Sequence, residues 1–344
     1  MNKKGTKVLF VATSRKTMGG ITSVLKKYEN MEIWDKYNCA WLETQINRGI
    51  VLKLYYIIKA YITMLFIVPQ YNIIHFHTIP GISIIIQMPI FLYSLICRKK
   101  TIIHIHVGNQ LLEYKKDKIF KFTLRKADKV IVLASSLQKL MKEHYNIETE
   151  VLYNPIEEQS ARDNSKIEKY IFFAAYMTPN KGYHTLLNAF KEVSTKHPDW
   201  KLLLAGSGEI ENAKKIRKEL EIENKVEIYQ WLNCEQMKEK YQKASIYCIA
   251  SKQEGFPMSF LEAASYGIPI VTTPVGGIVD VIVNEENCMI FKFDNVKELA
   301  NQINKLIEDK ELYFKISNNL RKLVEERFST STINRNIELL YNSL

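Results

Sequence analysis

The chain has 344 residues, of which 47% are hydrophobic and 25% charged, so its composition excludes a disordered or fibrous protein. At about 150 residues per domain, this length predicts two domains, each with enough residues for a core. The net charge of +11 lies entirely in residues 1–160, which hold 23 Lys and Arg against 12 Asp and Glu; residues 161–344 hold 25 of each. One half of the chain is therefore expected to face an anionic partner, either phosphate groups, an acidic lipid surface or nucleic acid.

The cysteines and the N-terminus predict a cytoplasmic protein. The apolar run near the start covers only Val8 to Ala12, which is too short for a signal peptide. The five cysteines are odd in number and far apart, with no CxxC pair. This pattern favours buried small side chains in a reducing compartment over disulfides or a zinc site. They are Cys39, Cys97, Cys234, Cys248 and Cys288.

Two long apolar stretches raise the question of a membrane. Ile79 to Ile96 carries no charge over eighteen residues, but proline, glycine and glutamine interrupt it. Val51 to Val68 contains Lys53 and Lys59. We expect both stretches to form helices that are buried or face a membrane rather than cross it.

Short apolar strands alternate with helices through the N-terminal half. A strand at 7–12 leads to a loop with Gly19-Gly20 and a helical pattern from Ile21. Further strands are predicted at 72–77, 101–106, 129–133 and 150–153, and helices at 50–68, 82–97, 110–127 and 135–145. This alternation is typical of βαβ units with a parallel sheet between helices.

The C-terminal half repeats the pattern after a polar stretch, 157–168, which reads as a linker. Strands are predicted at 170–175, 201–205, 226–229, 246–250 and 269–273, and helices at 182–196, 210–221, 234–243, 258–266, 296–308 and 311–328. The sequence thus predicts an α/β protein with two doubly wound parallel-sheet domains, 1–156 and 169–328. A C-terminal helix, 329–344, is expected to return toward the first domain.

Glu254 and Glu262 are the strongest candidates for a binding site. Glu254 follows a predicted strand, where open α/β sheets bind ligands, and Glu262 lies inside the next helix. With Pro257 near the helix start, free backbone N–H groups there can hold a phosphate while the carboxylates bind hydroxyls. Apolar neighbours predict a buried Glu262 that needs a partner. The simpler alternative is a capping Glu254 and a solvated Glu262.

The segment Glu254-Gly-Phe-Pro-Met-Ser-Phe-Leu-Glu262 resembles the EGFP…E signature of the GT-B glycosyltransferases of retaining family 4. Its two glutamates have the family's separation, and Gly267-Ile-Pro-Ile-Val-Thr and Gly276-Gly277 also match. The resemblance covers nearly the whole chain and is strongest over 170–290. It implies two Rossmann-like domains across a cleft. The implied activity is metal-independent, retaining transfer of a sugar from a nucleotide-diphosphate sugar to an acceptor hydroxyl, of the hexosyltransferase type.

The resemblance also implies roles for individual residues. Glu254 would bind the donor sugar's hydroxyls, Glu262 the ribose hydroxyls, and Lys181 the diphosphate, its charge adding to a helix dipole. Backbone groups would face the diphosphate or sugar at Phe256, Met258 and Ser259.

Weaker matches complete the implied donor site. Gly206 would form a glycine turn near the nucleotide, and Tyr229 and Trp231 would line the base pocket; a plain turn and core aromatics are equally natural. Gly19 and Gly20 would let the backbone approach the donor diphosphate and the acceptor.

Tyr176 departs from the family pattern, because the family usually has an arginine there that binds the diphosphate. The leaving group needs positive charge. Either Arg15 or Lys16 supplies it beside Lys181, or donor binding is weaker and the chain is a catalytically weak subunit.

The histidines form two pairs at strand ends, His75/His77 and His104/His106, each pair on one strand face. The resemblance matches His106 to an active-site histidine near the reacting centre. The others would support His106 or belong to the core. A four-histidine metal site is the alternative, but there is no Asp-x-Asp motif, so we expect neither metal nor cofactor.

Residues 44–127 predict contact with an anionic membrane. No acid occurs between Thr44 and Leu112, and the helix predicted at 110–127 has a basic face. That face is formed by Lys115, Lys118, Lys121, Arg125 and Lys126. Such a helix can lie on an anionic bilayer, although an ordinary solvated face is the alternative.

A peripheral position on the inner face of the cell membrane would suit a lipid-linked saccharide acceptor in capsule, O-antigen or exopolysaccharide synthesis. The remaining alternatives are a nucleotide-sugar epimerase of the same fold and a nucleic-acid-binding module. The base is not arranged in recognition motifs, which argues against nucleic acid.

Overall fold

Two parallel sheets organise the chain. The computed structural model describes residues 5–17, 19–114 and 116–344, and of Asn109 only the backbone. It divides into an N-terminal unit, Met1–Pro155 with Phe328–Leu344, and a C-terminal unit, Ile156–Arg327.

The N-terminal unit has a described sheet of six parallel strands in the order β2-β1-β3-β4-β5-β6. The strands are β1 (Val8–Ala12), β2 (Ala40–Glu43), β3 (Ile73–Thr78), β4 (Lys100–Ile105), β5 (Lys129–Val132) and β6 (Glu150–Val151). The helices are α1 (Gly20–Glu29), α2 (Glu32–Lys36), α3 (Ile50–Ile67), α4 (Ile82–Ile96), α5 (Lys118–Lys126) and α6 (Ser135–Tyr145). Every residue of β1 and β3 is buried, as expected for strands covered on both faces.

The C-terminal unit repeats this plan with six described strands in the order β12-β11-β10-β7-β8-β9. The strands are β7 (Glu168–Ala174), β8 (Lys201–Ala205), β9 (Val226–Tyr229), β10 (Ala244–Ile249), β11 (Ile270–Thr272) and β12 (Met289–Ile290). The helices are α7 (Tyr183–Lys196), α8 (Ile210–Glu219), α9 (Cys234–Lys243), α10 (Met258–Ser265), α11 (Val296–Glu308) and α12 (Lys310–Leu323). All strand pairs are parallel, so the predicted α/β architecture is confirmed.

The last helix, α13 (Thr330–Asn342), belongs to the N-terminal unit. Its Asn334 side chain accepts a hydrogen bond from the Ile33 backbone at 3.4 Å, and Glu338 pairs with Lys36 at 2.6 Å. The chain therefore re-enters its first unit at the C-terminus.

The prediction of one continuous basic helix over 110–127 is wrong. The structure has a 3-10 turn at Asn109–Tyr114 and then α5. The Asp117 carboxylate accepts hydrogen bonds from the Ile119 and Phe120 backbone, which starts a new helix there. Lys115 lies outside the described residues. Strands β2 and β12 were not predicted from the sequence.

The segment expected to be a linker, 157–168, is held against the C-terminal unit. The Arg162 guanidinium donates to the backbone oxygens of Ala244 and Gly267, the latter at 3.1 Å. The division falls at 155/156 and again at 327/328. The helix expected at 311–328 is confirmed as α12, which continues after Leu323 as a π-helical segment, Val324–Phe328.

All five cysteines are free thiols. Cys248 and Cys288 are buried as expected, and burial raises the pKa of both thiols. Cys39 and Cys97 are half-buried. The expectation of burial is wrong for Cys234, which is exposed in the first turn of α9.

Candidate functional site

The carboxyl ends of β7 and β10 bring Lys181 and Glu254 together. The Lys181 Nζ lies 2.5 Å from a Glu254 carboxylate oxygen. In the sheet, β7 lies between β8 and β10. Strands β8 and β9 extend the sheet on one side of β7, and β10 to β12 extend it on the other, so the strand order reverses at β7. Such a switch point opens a crevice outside the strand ends, where doubly wound sheets bind ligands.

Backbone contacts hold the two loops in register. The Lys252 N–H donates to the Asn180 oxygen at 2.7 Å, which ties the loop after β10 to the loop after β7. The Ser251 hydroxyl donates to Glu254 at 2.7 Å, and the Thr273 hydroxyl donates to the Ser251 oxygen at 2.6 Å. The Glu254 carboxylate is therefore oriented by two neighbours before any ligand arrives.

The Lys181–Glu254 pair is partly shielded, with side-chain exposures of 29% and 14%. An ammonium group has three donors, and Glu254 takes one of them. A pair of this kind offers donors to phosphate oxygens and an acceptor to hydroxyl groups within a few ångströms. Lys181, which the resemblance assigns to the diphosphate, is thus paired with Glu254 in the structure.

Gly276 fits the Glu254 loop for a steric reason. Its φ is +55°, and a Cβ there would lie 2.3 Å from the Gly255 oxygen. The Gly277 N–H donates to that same oxygen at 2.6 Å. The glycine pair after β11 therefore lets one loop rest directly on the other.

Helix α10 begins beside the same loop. Pro257 is its N-cap and supplies no side-chain hydrogen bond to the first turn. The amino end of α10, which includes Met258 and Ser259, therefore keeps backbone donors and the positive end of the helix dipole. The Phe256 side chain before it is buried and packs edge-on against Phe260.

Glu262 is half-buried rather than buried, because one side of α10 near it reaches the surface. The Tyr241 hydroxyl donates to its carboxylate at 3.0 Å, so the partner that the sequence required is a tyrosine. Burial raises the pKa of Tyr241 well above its ordinary value, which keeps this hydroxyl a donor.

Gly206 packs against the end of β7. Its φ is +148°, and a Cβ would lie 1.8 Å from the Ala175 oxygen. Tyr176, where the family pattern has arginine, is 63% exposed at this strand end. Close packing against Ala175 therefore explains why glycine stands at position 206. Tyr176 supplies no positive charge for a diphosphate.

Tyr229 and Trp231 lie at the end of edge strand β9 and outside the buried core. The Tyr229 hydroxyl donates to Glu227, which raises the pKa of Tyr229 to about 12. Lys240 lies 5.1 Å from the centre of the Tyr229 ring. The alternative of core aromatics is wrong, and the exposed Trp231 ring is open to stacking.

In the N-terminal unit, Gly19 and Gly20 stand in open surroundings. Among the described residues, no atom lies within 4 Å of a Cβ built on either. Gly19 is the N-cap of α1 and gives it no side-chain hydrogen bond. Packing therefore does not require glycine here, unlike at Gly276.

Arg15 already has partners in its own unit. Its guanidinium donates to Glu29 at 2.7 and 2.9 Å and lies 4.5 Å from the Trp41 ring centre. A diphosphate would have to compete with Glu29. The neighbouring Lys16 is exposed, so it is the more accessible of the two cations named from the sequence.

The four histidine rings form one cluster, in which His75, His77 and His104 are buried and His106 is half-buried. His77 Nδ1 lies 2.8 Å from His106 Nε2, and His75 Nδ1 lies 3.0 Å from the Tyr341 hydroxyl of α13. The centre of the His104 ring lies 4.7 Å from the centre of the His77 ring and 4.3 Å from that of His106. Burial lowers the pKa of His106 to about 3, so it is neutral near pH 7.

Three of these rings place nitrogen atoms close to one another, as ligands of one metal ion would be. Donor nitrogens of His75, His77 and His104 lie within 4.8 Å of one another. Among the described residues, both His104 nitrogens lack a hydrogen-bond partner. The His75 and His104 rings nevertheless stack at 18°, and the other two pairs are tilted by 36° and 47°, so the three rings contact one another as packed aromatic groups. The expectation of no metal stays a prediction.

Sequence reasoning missed three residues that complete these contacts. Ser251 follows its strand directly, as polar site residues do in this fold, so its position was a usable signal. Tyr241 and Tyr341 reach their partners from helices distant in sequence. Nothing local to either tyrosine marks it.

Comparisons with known proteins agree with this architecture. Residues 155–323 match the model of the family described as glycosyl transferases group 1. A solved structure of Anabaena Alr3699/HepE in complex with UDP-glucose superposes with a TM-score of 0.77 at 20% identity, covering 98% of this chain and 100% of that one.

Two curated relatives are similar over part of their length. An uncharacterized glycosyltransferase of Haemophilus influenzae is 30% identical over 193 residues, which cover 55% of this chain and 54% of that protein. The capsular polysaccharide biosynthesis glycosyltransferase CapM of Staphylococcus aureus is 29% identical over 235 residues, which cover 67% of this chain and 60% of that protein. The chain thus spans little more than half the length of these relatives.

Two doubly wound parallel sheets, together with this structural likeness, define a protein with the GT-B fold. The match to the glycosyl transferases group 1 model lies almost wholly in the C-terminal unit, which also holds Lys181 and Glu254.

Proposed function

We propose that the chain is a retaining glycosyltransferase that moves a sugar from a nucleotide-diphosphate sugar to an acceptor hydroxyl. The observation that carries this proposal is the Lys181–Glu254 pair at the β7/β10 switch point, beside the uncapped start of α10. The match of residues 155–323 to the glycosyl transferases group 1 model supports the same chemistry.

The leaving diphosphate needs positive charge where the glycosidic bond breaks. Lys181 and the amino end of α10 supply it, as a positioned cation and a fixed dipole. Glu254 accepts hydrogen bonds from donor-sugar hydroxyls and Glu262 from the ribose. Gly206 and Trp231 border the nucleotide.

For retention, the acceptor oxygen bonds to the anomeric carbon on the face that the diphosphate leaves. The bond to the diphosphate breaks with its electron pair, and a diphosphate oxygen takes the acceptor proton. The chain contributes orientation and charge stabilisation and no covalent intermediate. We propose a catalytic role for His106, which is neutral near pH 7 and lies 2.8 Å from His77.

The donor class follows from the geometry and one likeness. The Anabaena structure holds UDP-glucose, and a nucleotide sugar offers both the phosphates and the hydroxyls that this site can bind. The nucleotide sugar is a substrate, and we propose that no other cofactor or metal takes part.

We further propose a lipid-linked saccharide as the acceptor, on the inner face of the cell membrane. The basic N-terminal residues support an anionic surface, and the capsular function in the name of CapM supports polysaccharide assembly. Nucleic acid is not proposed as a partner.

A transfer assay tests the proposal. Purified chain is incubated with labelled nucleotide sugars, with and without a lipid extract that contains lipid-linked saccharides. We expect label in the organic phase and equimolar nucleoside diphosphate release. Isomerised sugar from donor alone would instead identify an epimerase, and neither transfer nor donor hydrolysis would identify a catalytically weak subunit, for which Tyr176 is the structural reason.

A further inference from the structure

Helix α3 has an outward face that its own fold does not explain. All eighteen of its residues are described, and only Ala60 is buried. The opposite face carries Val51, Ile58, Ile62 and Leu65, which are 48–79% exposed. At 3.6 residues per turn these four side chains fall within about 60° of one another. A soluble amphipathic helix would place polar residues there.

Helix α4 extends this apolar face. It packs beside α3, and the Tyr61 hydroxyl donates to the Ile86 oxygen at 2.9 Å. Its exposed residues also follow one stripe and are also apolar: Ile82, Ile85, Leu92 and Ile96. The exposed apolar residues of the two helices together form one surface, which we call the α3–α4 face. Scattered single apolar side chains are ordinary on a protein surface, whereas a continuous apolar patch of this kind is not.

Positive charge surrounds the α3–α4 face. Lys59 flanks it on α3, and Arg98 and Lys99 follow α4, with Lys99 donating to the Pro69 oxygen at 2.7 Å. Helix α5 packs against α4 and carries exposed Lys118, Arg125 and Lys126, with Phe122 between them on the same side. No acid occurs from residue 44 to 112.

We propose that the α3–α4 face inserts into the headgroup and acyl boundary of an anionic bilayer, with both helices parallel to the membrane plane. Apolar side chains enter the acyl region while the surrounding bases meet lipid phosphates. This inference deepens the membrane association in the proposed function, because it assigns the attachment to apolar insertion rather than to electrostatic adsorption alone.

Topology decides how α3 meets the bilayer. Among the described residues, Ile50–Gln70 is the one helix long and apolar enough to cross a membrane. Its two ends, however, lead into β2 and β3 of one sheet, and Ala60 packs inward. A crossing would pull one of these strands out of the sheet, so α3 lies along the surface.

Charge also selects the lipid over a second copy of the chain. A symmetric contact would place the acid-free, basic rim against itself, which like charges oppose. An anionic lipid surface complements that rim.

Vesicle sedimentation tests the proposal. Phosphatidylcholine vesicles with 25% phosphatidylglycerol are mixed with the full chain at 0.15 M and 1 M NaCl. At 1 M the Debye length is about 3 Å, so adsorption by bases is screened and insertion persists. We expect binding at both salts, and on the order of tenfold weaker binding for Ile58→Asp/Ile62→Asp.

The matched control is Phe314→Asp/Leu339→Asp, which places the same charges at exposed apolar residues of α12 and α13. It should bind vesicles like the wild type. Equal loss in both variants, or wild-type binding that disappears at 1 M NaCl, would overturn the proposal. Self-association in solution that only the α3 variant abolishes would assign the face to a second copy and overturn it as well.

A second measurement uses a fluorescent reporter and does not require a variant with reduced vesicle binding. The Ile62→Trp variant should show a blue-shifted extra emission with vesicles and quenching by brominated lipids, whereas Leu339→Trp should show neither. An Ile62→Trp signal insensitive to brominated lipids would contradict insertion. Donor binding is measured in parallel. Its absence in the wild type defeats the proposed function without affecting the vesicle result.

Discussion

Helices α3 and α7 occupy comparable places, each connecting strands of a parallel sheet, but they use their apolar residues differently. In α7, eight of fourteen residues are buried, including Leu186, Leu187 and Phe190. In α3 the one buried residue is Ala60, and the large apolar side chains face outward. Apolar content thus indicates core in α7 and an external surface in α3.

The two units also differ in how their positive charge is arranged. The C-terminal unit has balanced charge and a few oriented groups around Lys181 and Glu254. The N-terminal unit has the excess base, spread around the α3–α4 face. A change at Lys181 or Glu254 should therefore leave vesicle binding intact, and a change on the α3–α4 face should leave donor binding intact.

The largest effect is expected for Glu254→Ala. This change removes the carboxylate held by Ser251 and Lys181, so sugar transfer should fall by about a thousandfold, in line with losses from single transition-state contacts. Vesicle binding should not change. The control Glu308→Ala removes a surface carboxylate paired with Lys196 and should keep full activity. A fully active Glu254→Ala variant would contradict the site.

Lys181→Ala comes next. Loss of the cation should weaken affinity for nucleoside diphosphate by roughly tenfold to a hundredfold, since charge-assisted hydrogen bonds to phosphate contribute about 1.5–3 kcal/mol. Titration calorimetry measures the change, and Lys181→Arg should recover part of it. Lys196→Ala is the matched surface control. If Lys181→Ala binds like the wild type, another group neutralises the diphosphate.

Substitutions at Gly276 and Gly19 distinguish a glycine required for packing from one expected to let a ligand approach the backbone. Gly276→Ala should lower the free energy of unfolding by about 1–3 kcal/mol, because its φ is positive and its Cβ would meet the Gly255 oxygen. Gly19→Ala should leave stability unchanged and weaken only substrate binding. Thermal unfolding with and without nucleoside diphosphate distinguishes the two. Equal destabilisation by both changes would refute the difference.

The smallest effect concerns pH. Burial lowers the pKa of His104 well below its ordinary 6.5, so the folded state holds it neutral. The unfolded chain takes up a proton as pH falls through 6.5. The stability that depends on the neutral ring is therefore complete above pH 6.5 and lost as pH falls toward the folded pKa.

His104→Phe should reduce this dependence, because phenylalanine cannot be protonated and the ring nitrogens have no partners among the described residues. We expect the melting temperature of the variant to fall a few degrees less than that of the wild type between pH 7.5 and 5. Parallel curves for the two proteins would show that His104 does not titrate on unfolding.

Periodic features of the sequence were predictable, and long-range contacts were not. Strands such as β1 and β3 are continuous apolar runs, and the Glu254 loop follows its strand as the fold requires. The break at Asp117 was missed because the residues on both sides of it continue one helical period. Likewise, the pairing of Lys181 with Glu254 depends on two strand ends meeting across 73 residues, which spacing does not reveal.

The outward face of α3 shows the same limit. Its composition is equally typical of a buried helix, and only the exposed fractions of Val51, Ile58 and Ile62 distinguish the two. Sequence reasoning predicted membrane contact for 44–127 as a whole and left the 51–68 helix as either buried or facing a membrane.

Direct donor binding tests the central claim that the β7/β10 crevice holds a nucleotide-diphosphate sugar. UDP-glucose and UDP are titrated calorimetrically into the wild type, Lys181→Ala and Glu254→Ala. We expect saturable binding of both ligands to the wild type and weaker binding of both to Lys181→Ala. Glu254→Ala should lose only the part of the affinity that the sugar contributes. Identical isotherms for all three proteins would contradict it.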